Sequence, residues 1–294
     1  MSARAALDKE GFLLEHLSED AGFFYRGGKL LEQGRSEWQD YEVWETPLFG
    51  RLFRLDGCFM TSERDEFYYH ENLIQVPAMA HEGVRRALII GGGDGGSAEE
   101  LLKSPTMERV VIAELDEKVI DISRRYFAAV HHGALDDARV DIRIGDGMKY
   151  VNEDGPAAGD RYDLIVLDLT DPVGPAEALY TEDFFRACRA LLDAGGALSL
   201  HIGPPVFQPE RVRELVQRLR RVFTTVCPYF LYMPLYGSLW GLATASDTLD
   251  PQSVSADEID RRLTERRIKL LHHYNGAVHQ AQFALPNHLR ALLA

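Results

Sequence analysis

Cysteine is scarce in this chain, base is outnumbered by acid, and no long apolar run is present. Three cysteines among 294 residues, Cys58, Cys188 and Cys227, lie far apart with no Cys-x-x-Cys pair. That argues against a disulfide framework and against a cysteine zinc site. No stretch approaches the ~18 apolar residues of a membrane helix, and no charged segment leading into an apolar one opens the chain. A cytoplasmic location with no membrane partner is therefore expected. Lysine and arginine total 32 against 46 acidic residues, a net charge of −14. Nucleic-acid binders need the opposite sign, because Lys and Arg make the phosphate contacts. An acidic field attracts cations instead, although acidity alone also serves solubility.

The organising stretch is Ala87-Leu88-Ile89-Ile90 followed by Gly91-Gly92-Gly93-Asp94-Gly95-Gly96. An apolar strand ends in a glycine-dense turn and leads into a helix over 97–103, which is how an open α/β sheet presents a nucleotide site. Further strands are predicted over 110–116, 140–144, 162–167, 197–201, 225–231 and 241–245. Helices are predicted over 117–127, 181–192, 209–223 and 257–271. This alternation predicts a doubly wound, mostly parallel sheet in an α/β fold. Before it, alternating residues over 39–45 and 51–55, the turn Asp56-Gly57 and a strand over 58–61 predict a small antiparallel β-domain. The glycine-flanked segment 22–28 reads as a loop. The boundary falls near Thr61, giving domains 1–61 and 62–294. From Thr61 a helix starts and runs through Tyr69 and His70 towards Pro77.

Four successive strands deliver a carboxylate at their carboxyl ends: Asp94, Glu114, Asp146 and Asp168, with Asp171 close behind. Packing does not call for acid at such rim positions. Glu114 lies about 20 residues beyond the glycine turn, where a carboxylate accepts ribose hydroxyls. Asp146, between two glycines, is placed to accept an adenine amine. An acid-lined turn repels pyrophosphate, so the pattern favours an adenosyl ligand with positive charge, such as a sulfonium. No His/Cys cluster suggests a metal, and His131-His132 and His272-His273 read as surface residues.

Beyond these features the chain resembles the polyamine aminopropyltransferases of the spermidine synthase family. The resemblance rests on Gln39-Asp40-Tyr41, Leu55-Asp56-Gly57, Ser62-Glu63-Arg64-Asp65-Glu66, Tyr69-His70-Glu71, the glycine turn, Glu114-Leu115-Asp116, Gly145-Asp146-Gly147 and Asp168-Leu169-Thr170-Asp171-Pro172-Val173-Gly174-Pro175. Those motifs run in order from about residue 35 to Pro286, most of the chain. The resemblance implies a Rossmann-like sheet of the class I methyltransferase kind. It also implies transfer of the aminopropyl group of decarboxylated S-adenosylmethionine to an amine, releasing methylthioadenosine. No further cofactor and no metal are implied. Gln39, His70, Asp94, Glu114, Asp146 and Gly147 are then expected to hold the donor. Tyr69, Asp168, Asp171 and Tyr236 are expected at the acceptor, with Asp168 as catalytic base. Pro172 and Pro175 fall in an expected gatekeeping loop, and a homodimer or homotetramer is implied.

Three segments depart from the common family pattern: Met60, His201-Ile202-Gly203-Pro204-Pro205, and Tyr236-Gly237-Ser238-Leu239-Trp240-Gly241. The last two look more like relatives that act on agmatine or longer polyamines, so putrescine, agmatine and longer amines all stand as acceptors. Trp240 reads as a packing residue. A methyltransferase using the intact donor would share the fold and leave residues 168–175 unexplained. A non-catalytic nucleoside or polyamine binder would be expected to have lost Tyr69, Asp94, Asp168 or Tyr236. A nicotinamide dehydrogenase is disfavoured by the acid in the turn.

Overall fold

A computed structural model describes residues 11–170 and 174–294. Residues 22–28, read from sequence as a loop, largely form a strand. β1 (Phe12–His16) and β2 (Gly22–Arg26) pair antiparallel. Cross-strand aromatic contact, Phe12 edge-on to Phe24 at 5.0 Å, supplies the packing that flanking glycines obscure in sequence. The next four strands form one antiparallel sheet: β3 (Lys29–Arg35), β4 (Asp40–Thr46), β5 (Gly50–Leu55) and β6 (Cys58–Ser62). Tyr41 and Val43 alternate inward on β4. With Phe53 and Leu55 they pack against Val119 and Ile122 of a main-sheet helix.

The main sheet holds β7 (Arg86–Gly91), β8 (Arg109–Glu114), β9 (Val140–Ile144), β10 (Tyr162–Asp168), β11 (Leu192–Gly203), β12 (Thr225–Met233) and β13 (Ser238–Ser246). Their spatial order is β12-β13-β11-β10-β7-β8-β9. The five strands from β9 to β11 are parallel, and β13 and β12 add antiparallel to that edge. The doubly wound sheet expected from the alternation is present. Near-continuous apolar runs are required because both faces are covered. Ala87, Ile89, Val110, Ile112, Leu164 and Val166 face one core, whereas Leu88, Ile90, Val111, Ala113, Ile165 and Leu167 face the other. Chain order reverses between β7 and β10, which opens a crevice at their carboxyl ends.

The longer helices used below are α1 (Glu66–Ala80), α2 (Gly96–Leu102), α3 (Glu117–Tyr126), α4 (Glu182–Leu191), α5 (Pro209–Val222) and α6 (Ala256–Glu265). α1 runs past Pro77, where sequence suggested an end, and every residue from Tyr69 to Ala80 is buried. A proline within a helix leaves the carbonyl four residues earlier without its usual donor. Here that carbonyl, Leu73 O, accepts from Ser199 Oγ at 2.6 Å. A second hydroxyl, on Tyr229, donates to the adjacent Asn72 carbonyl at 3.0 Å. The helix predicted over 257–271 ends at Glu265, because Arg267 and Leu270 take positive φ. That turn brings three backbone N–H groups, of His272, His273 and Tyr274, onto the fully buried Glu71 carboxylate at 2.5–2.8 Å. No helix among the described residues is long and apolar enough to cross a membrane.

Candidate active site

Because β10, β7, β8 and β9 are neighbours, their terminal acids follow one another along the rim as Asp168, Asp94, Glu114 and Asp146. Asp168 and Asp94 flank the crevice where the chain order reverses. Gly92 N–H donates to the Asp168 carbonyl at 2.9 Å and stitches the two strand ends together. Gly95 caps α2 at φ +80°, and a Cβ on Gly96 would lie 2.2 Å from the His70 ring. The glycines therefore let α1 deliver His70 directly onto the turn.

His70 ties the crevice together. Its Nε2 lies 3.4 Å from Asp94 and 4.0 Å from Asp168, while Nδ1 is 2.8 Å from Glu66 on the preceding helical turn. Burial pushes the imidazole pKa down, but Asp94 and Glu66 outweigh it and hold His70 well above its ordinary value. Reciprocally, burial would raise Asp94, yet His70 and the Gly96 N–H at 3.0 Å bring it below the usual carboxylate value. Asp168 goes the other way. Burial, with the charge of Asp94, pushes it up to about 6 despite His70, Ser97 and Tyr69. Two adjacent carboxylates thus differ in proton affinity, one fixed as an anion and one poised to exchange a proton.

Tyr69 lies beside Asp168, and burial followed by that carboxylate raises the phenol well above its normal range. It remains a hydrogen-bond donor at neutral pH. Tyr236 faces Tyr69 edge-on with centroids 6.0 Å apart and donates to the Met60 carbonyl at 3.0 Å. Burial first, then Asp168, raises its phenol too. The hairpin carrying Tyr236 is anchored by Asp65, which accepts from Leu235 N–H at 2.7 Å and from the Ser62 hydroxyl. Met60, Asp65, Glu66, Tyr69, His70 and Tyr236 line a cleft beside the crevice. Behind it, Trp240 packs 4.8 Å from Tyr236 and is buried, as expected of a packing residue. His201 lies 6.2 Å from Trp240 and 2.7 Å from the Tyr180 hydroxyl.

Farther along the rim, Glu114 accepts N–H bonds from Gly93 at 3.1 Å and Asp116 at 2.9 Å. Burial nevertheless pushes it up to about 7. Gln39 reaches over from the small sheet and donates to Asp116 at 3.0 Å, beside Ser36 at 2.6 Å. Asp116 in turn caps α3 through Lys118 N–H. Asp146 is exposed and caps the short helix Gly147–Lys149 through Met148 N–H at 2.8 Å. A Cβ on Gly147 would strike Ile90 at 2.5 Å.

The structure therefore brings Tyr69, His70 and Tyr236 of the cleft up against Asp94 and Asp168 of the crevice, with Gln39, Glu114, Asp146 and Gly147 along the adjoining rim. Asp171 and Pro172 lie outside the described residues, as does the Pro175 side chain. Sequence reasoning passed over Glu66, Ser97, Asp65 and Asp116 as site residues. Glu66 was signalled by its i, i+4 spacing to His70, and Ser97 by following the glycine turn directly. Asp65 and Leu235 stand 170 positions apart, and no local pattern joins them. His131, expected at the surface, is buried behind the glycine turn, so close that a Cβ on Gly95 would lie 2.6 Å from its own Cβ.

Among the described residues one group, His70, Asp94 and Asp168, brings potential metal-ligand atoms within 4.8 Å of one another. The set does not suit a resident metal. Both ring nitrogens of His70 are already engaged by carboxylates, Nδ1 by Glu66 at 2.8 Å and Nε2 by Asp94 at 3.4 Å, which leaves neither turned to a metal. The site suits an organic cation, which needs anionic neighbours and no lone pair.

Comparison with known proteins agrees with this geometry. The spermine/spermidine synthase domain matches residues 66–258. A polyamine aminopropyltransferase of Nitrosomonas europaea is 50% identical over 285 residues, spanning 97% of this chain and 86% of that protein. Another, from Thermoanaerobacter pseudethanolicus, is 36% identical over 282 residues, spanning 96% and 98%. Spermidine synthase from Thermotoga maritima superposes with a TM-score of 0.86 at 33% identity, covering 96% of this chain and 94% of that one. A spermidine synthase in complex with the transition-state analogue AdoDATO gives 0.87 at the same identity and coverage. The chain belongs to the spermine/spermidine synthase family. It is a polyamine aminopropyltransferase, with decarboxylated S-adenosylmethionine as co-substrate and neither metal nor redox cofactor called for.

Proposed function

We propose that Asp168 is the general base of aminopropyl transfer and that the rim divides donor from acceptor. The observation that carries this reading is the placement of Asp94 and Asp168 across the crevice, with His70 Nε2 3.4 Å from the first and 4.0 Å from the second, which moves their proton affinities in opposite directions. An alkylamine with pKa ~10.4 is almost wholly protonated at neutral pH and must shed a proton before it attacks. The nitrogen lone pair forms a bond to the methylene beside sulfur. The C–S bond breaks towards sulfur, leaving a neutral thioether, and the proton passes to Asp168. Tyr69 and Tyr236, both kept as phenols, orient the nitrogen.

Gln39, His70, Asp94, Glu114, Asp146 and Gly147 hold the donor in this reading. Asp94, whose proton affinity His70 and the Gly96 N–H lower, faces the donor's terminal ammonium and, by offering no cationic partner, disfavours a donor that keeps its carboxylate. Asp171 joins the acceptor site, and Pro172 and Pro175 belong to the loop that gates it. The acceptor is putrescine, agmatine or a longer polyamine. Supplying decarboxylated S-adenosylmethionine with putrescine, agmatine, cadaverine, spermidine and spermine in turn tests this reading. Methylthioadenosine release with one of them supports it. Failure with all, alongside S-adenosylhomocysteine from the intact donor, overturns it.

We take residues 1–61 and 62–294 as separate domains of a cytoplasmic homodimer or homotetramer. Exposed Phe24, Trp38 and Leu48 on or beside the small sheets support association there. Light scattering that finds a monomer at assay concentration would exclude it.

A further inference from the structure

We propose that Ser97 is a positioning residue for proton transfer: its hydroxyl fixes Oδ2 of Asp168 and thereby presents the other carboxylate oxygen to the acceptor nitrogen. The proposal rests on Asp168 being the base. Ser97 is fully buried in the first turn of α2, and its Oγ lies 2.7 Å from Asp168 Oδ2. The Asp168 main chain is already pinned by sheet pairing and by Gly92 N–H. Its side chain, however, faces the like charge of Asp94, which favours rotation away from the crevice. A serine hydroxyl has one proton to donate, and here it is spent on that carboxylate.

Several groups surround Asp168: Asp94 from the glycine turn, His70 and Tyr69 from α1, Glu114 at the end of β8, and Tyr236 from the β12–β13 hairpin. Asp94 and Glu114 add negative charge, His70 adds positive charge, and Tyr69 and Tyr236 are neutral phenols, of which Tyr69 also hydrogen-bonds to the carboxylate. Ser97 is the aliphatic hydroxyl in direct hydrogen bond with Asp168. A donor to the ionised form keeps the carboxylate available as a base and in one orientation. On proton transfer the incoming hydrogen settles on the oxygen that Ser97 does not hold. Deleting the hydroxyl should therefore both disorder the base and raise its proton affinity.

The test compares wild type, Ser97→Ala and Ser97→Thr by the pH profile of acceptor kcat/KM at saturating donor, with donor affinity from calorimetry. Ser97→Ala is expected to move the acidic limb up by about one pH unit and lower kcat roughly tenfold, with donor affinity unchanged. Ser97→Thr, which keeps the hydroxyl, should restore both. An unmoved limb with unchanged kcat overturns the proposal. So does loss of donor binding in Ser97→Ala, which would make the residue a support of the glycine turn alone. Asp168→Asn separates this from the underlying reading: near-wild-type turnover there removes Asp168 as base, whatever Ser97 does.

Discussion

His70 Nε2 and Asp94 Oδ2 stand 3.4 Å apart, almost fully enclosed, as an ion pair at the mouth of the crevice. The same ring nitrogen lies 4.0 Å from Asp168, so one imidazole faces both carboxylates, Asp94 the nearer. Removing it should change them together. In His70→Asn the acidic limb of the rate profile is expected to rise by about one to two pH units, because Asp168 loses the positive charge that restrains its protonation. A limb that stays in place would show that His70 does not act on Asp168.

The same pair makes a stability prediction. The folded-state pKa of His70 is raised above its unfolded value. Its contribution is complete below about pH 6.5 and is lost as pH climbs through the raised folded-state value. Thermal midpoints of wild type and His70→Asn should therefore differ most at mildly acid pH, draw together as pH rises above about 6.5 and converge in alkaline solution. A gap that widened with alkalinity would reverse the assignment of charge.

With Asp168 pushed up to about 6, kcat/KM should fall about tenfold per pH unit below that value, since only the ionised carboxylate accepts a proton. Asp168→Asn should retain donor binding and lose turnover by about a hundredfold or more. Single-turnover quench measurements at pH 5, 6 and 8 read both effects.

Tyr236→Phe removes the hydroxyl that holds the hairpin to the Met60 carbonyl. Stability should drop by about 1 kcal/mol, and acceptor KM should rise several-fold while donor affinity holds. An unchanged acceptor KM would take the phenol out of acceptor recognition.

Away from the chemistry, Ser199→Ala should cost about 1–3 kcal/mol, because the Leu73 carbonyl, which Pro77 deprives of its helical donor, would be left buried and unpaired. A denaturation midpoint within error of wild type would show that another donor reaches that carbonyl.

The main sheet was legible because parallel strands buried on both faces must be written as unbroken apolar runs, and β7, β8 and β10 are. The rim acids were legible for a related reason: an acid directly after such a run has nowhere to point but the strand end. β1 and β2 were not, since they are held by aromatic pairs such as Phe12 and Phe24, and the glycines at either end of 22–28 make that segment look unstructured. Pro77 misled in the opposite direction, because a distant serine on β11 repairs what the proline breaks. Within the site, Glu66 and His70 could be paired by helical spacing. Asp65 reaching Leu235 depends wholly on the folded topology.

Glu71, next to Tyr69 and His70, is clamped by the backbone of His272, His273 and Tyr274. The order of synthesis gives that contact a further meaning. The helix bearing the two site residues leaves the ribosome before its clamp, which lies 201 to 203 positions further along the chain. A nascent chain can fold much of its sheet and still lack a finished site, so aminopropyl transfer should begin only once residues 272–274 have emerged, and products truncated before them should be inert.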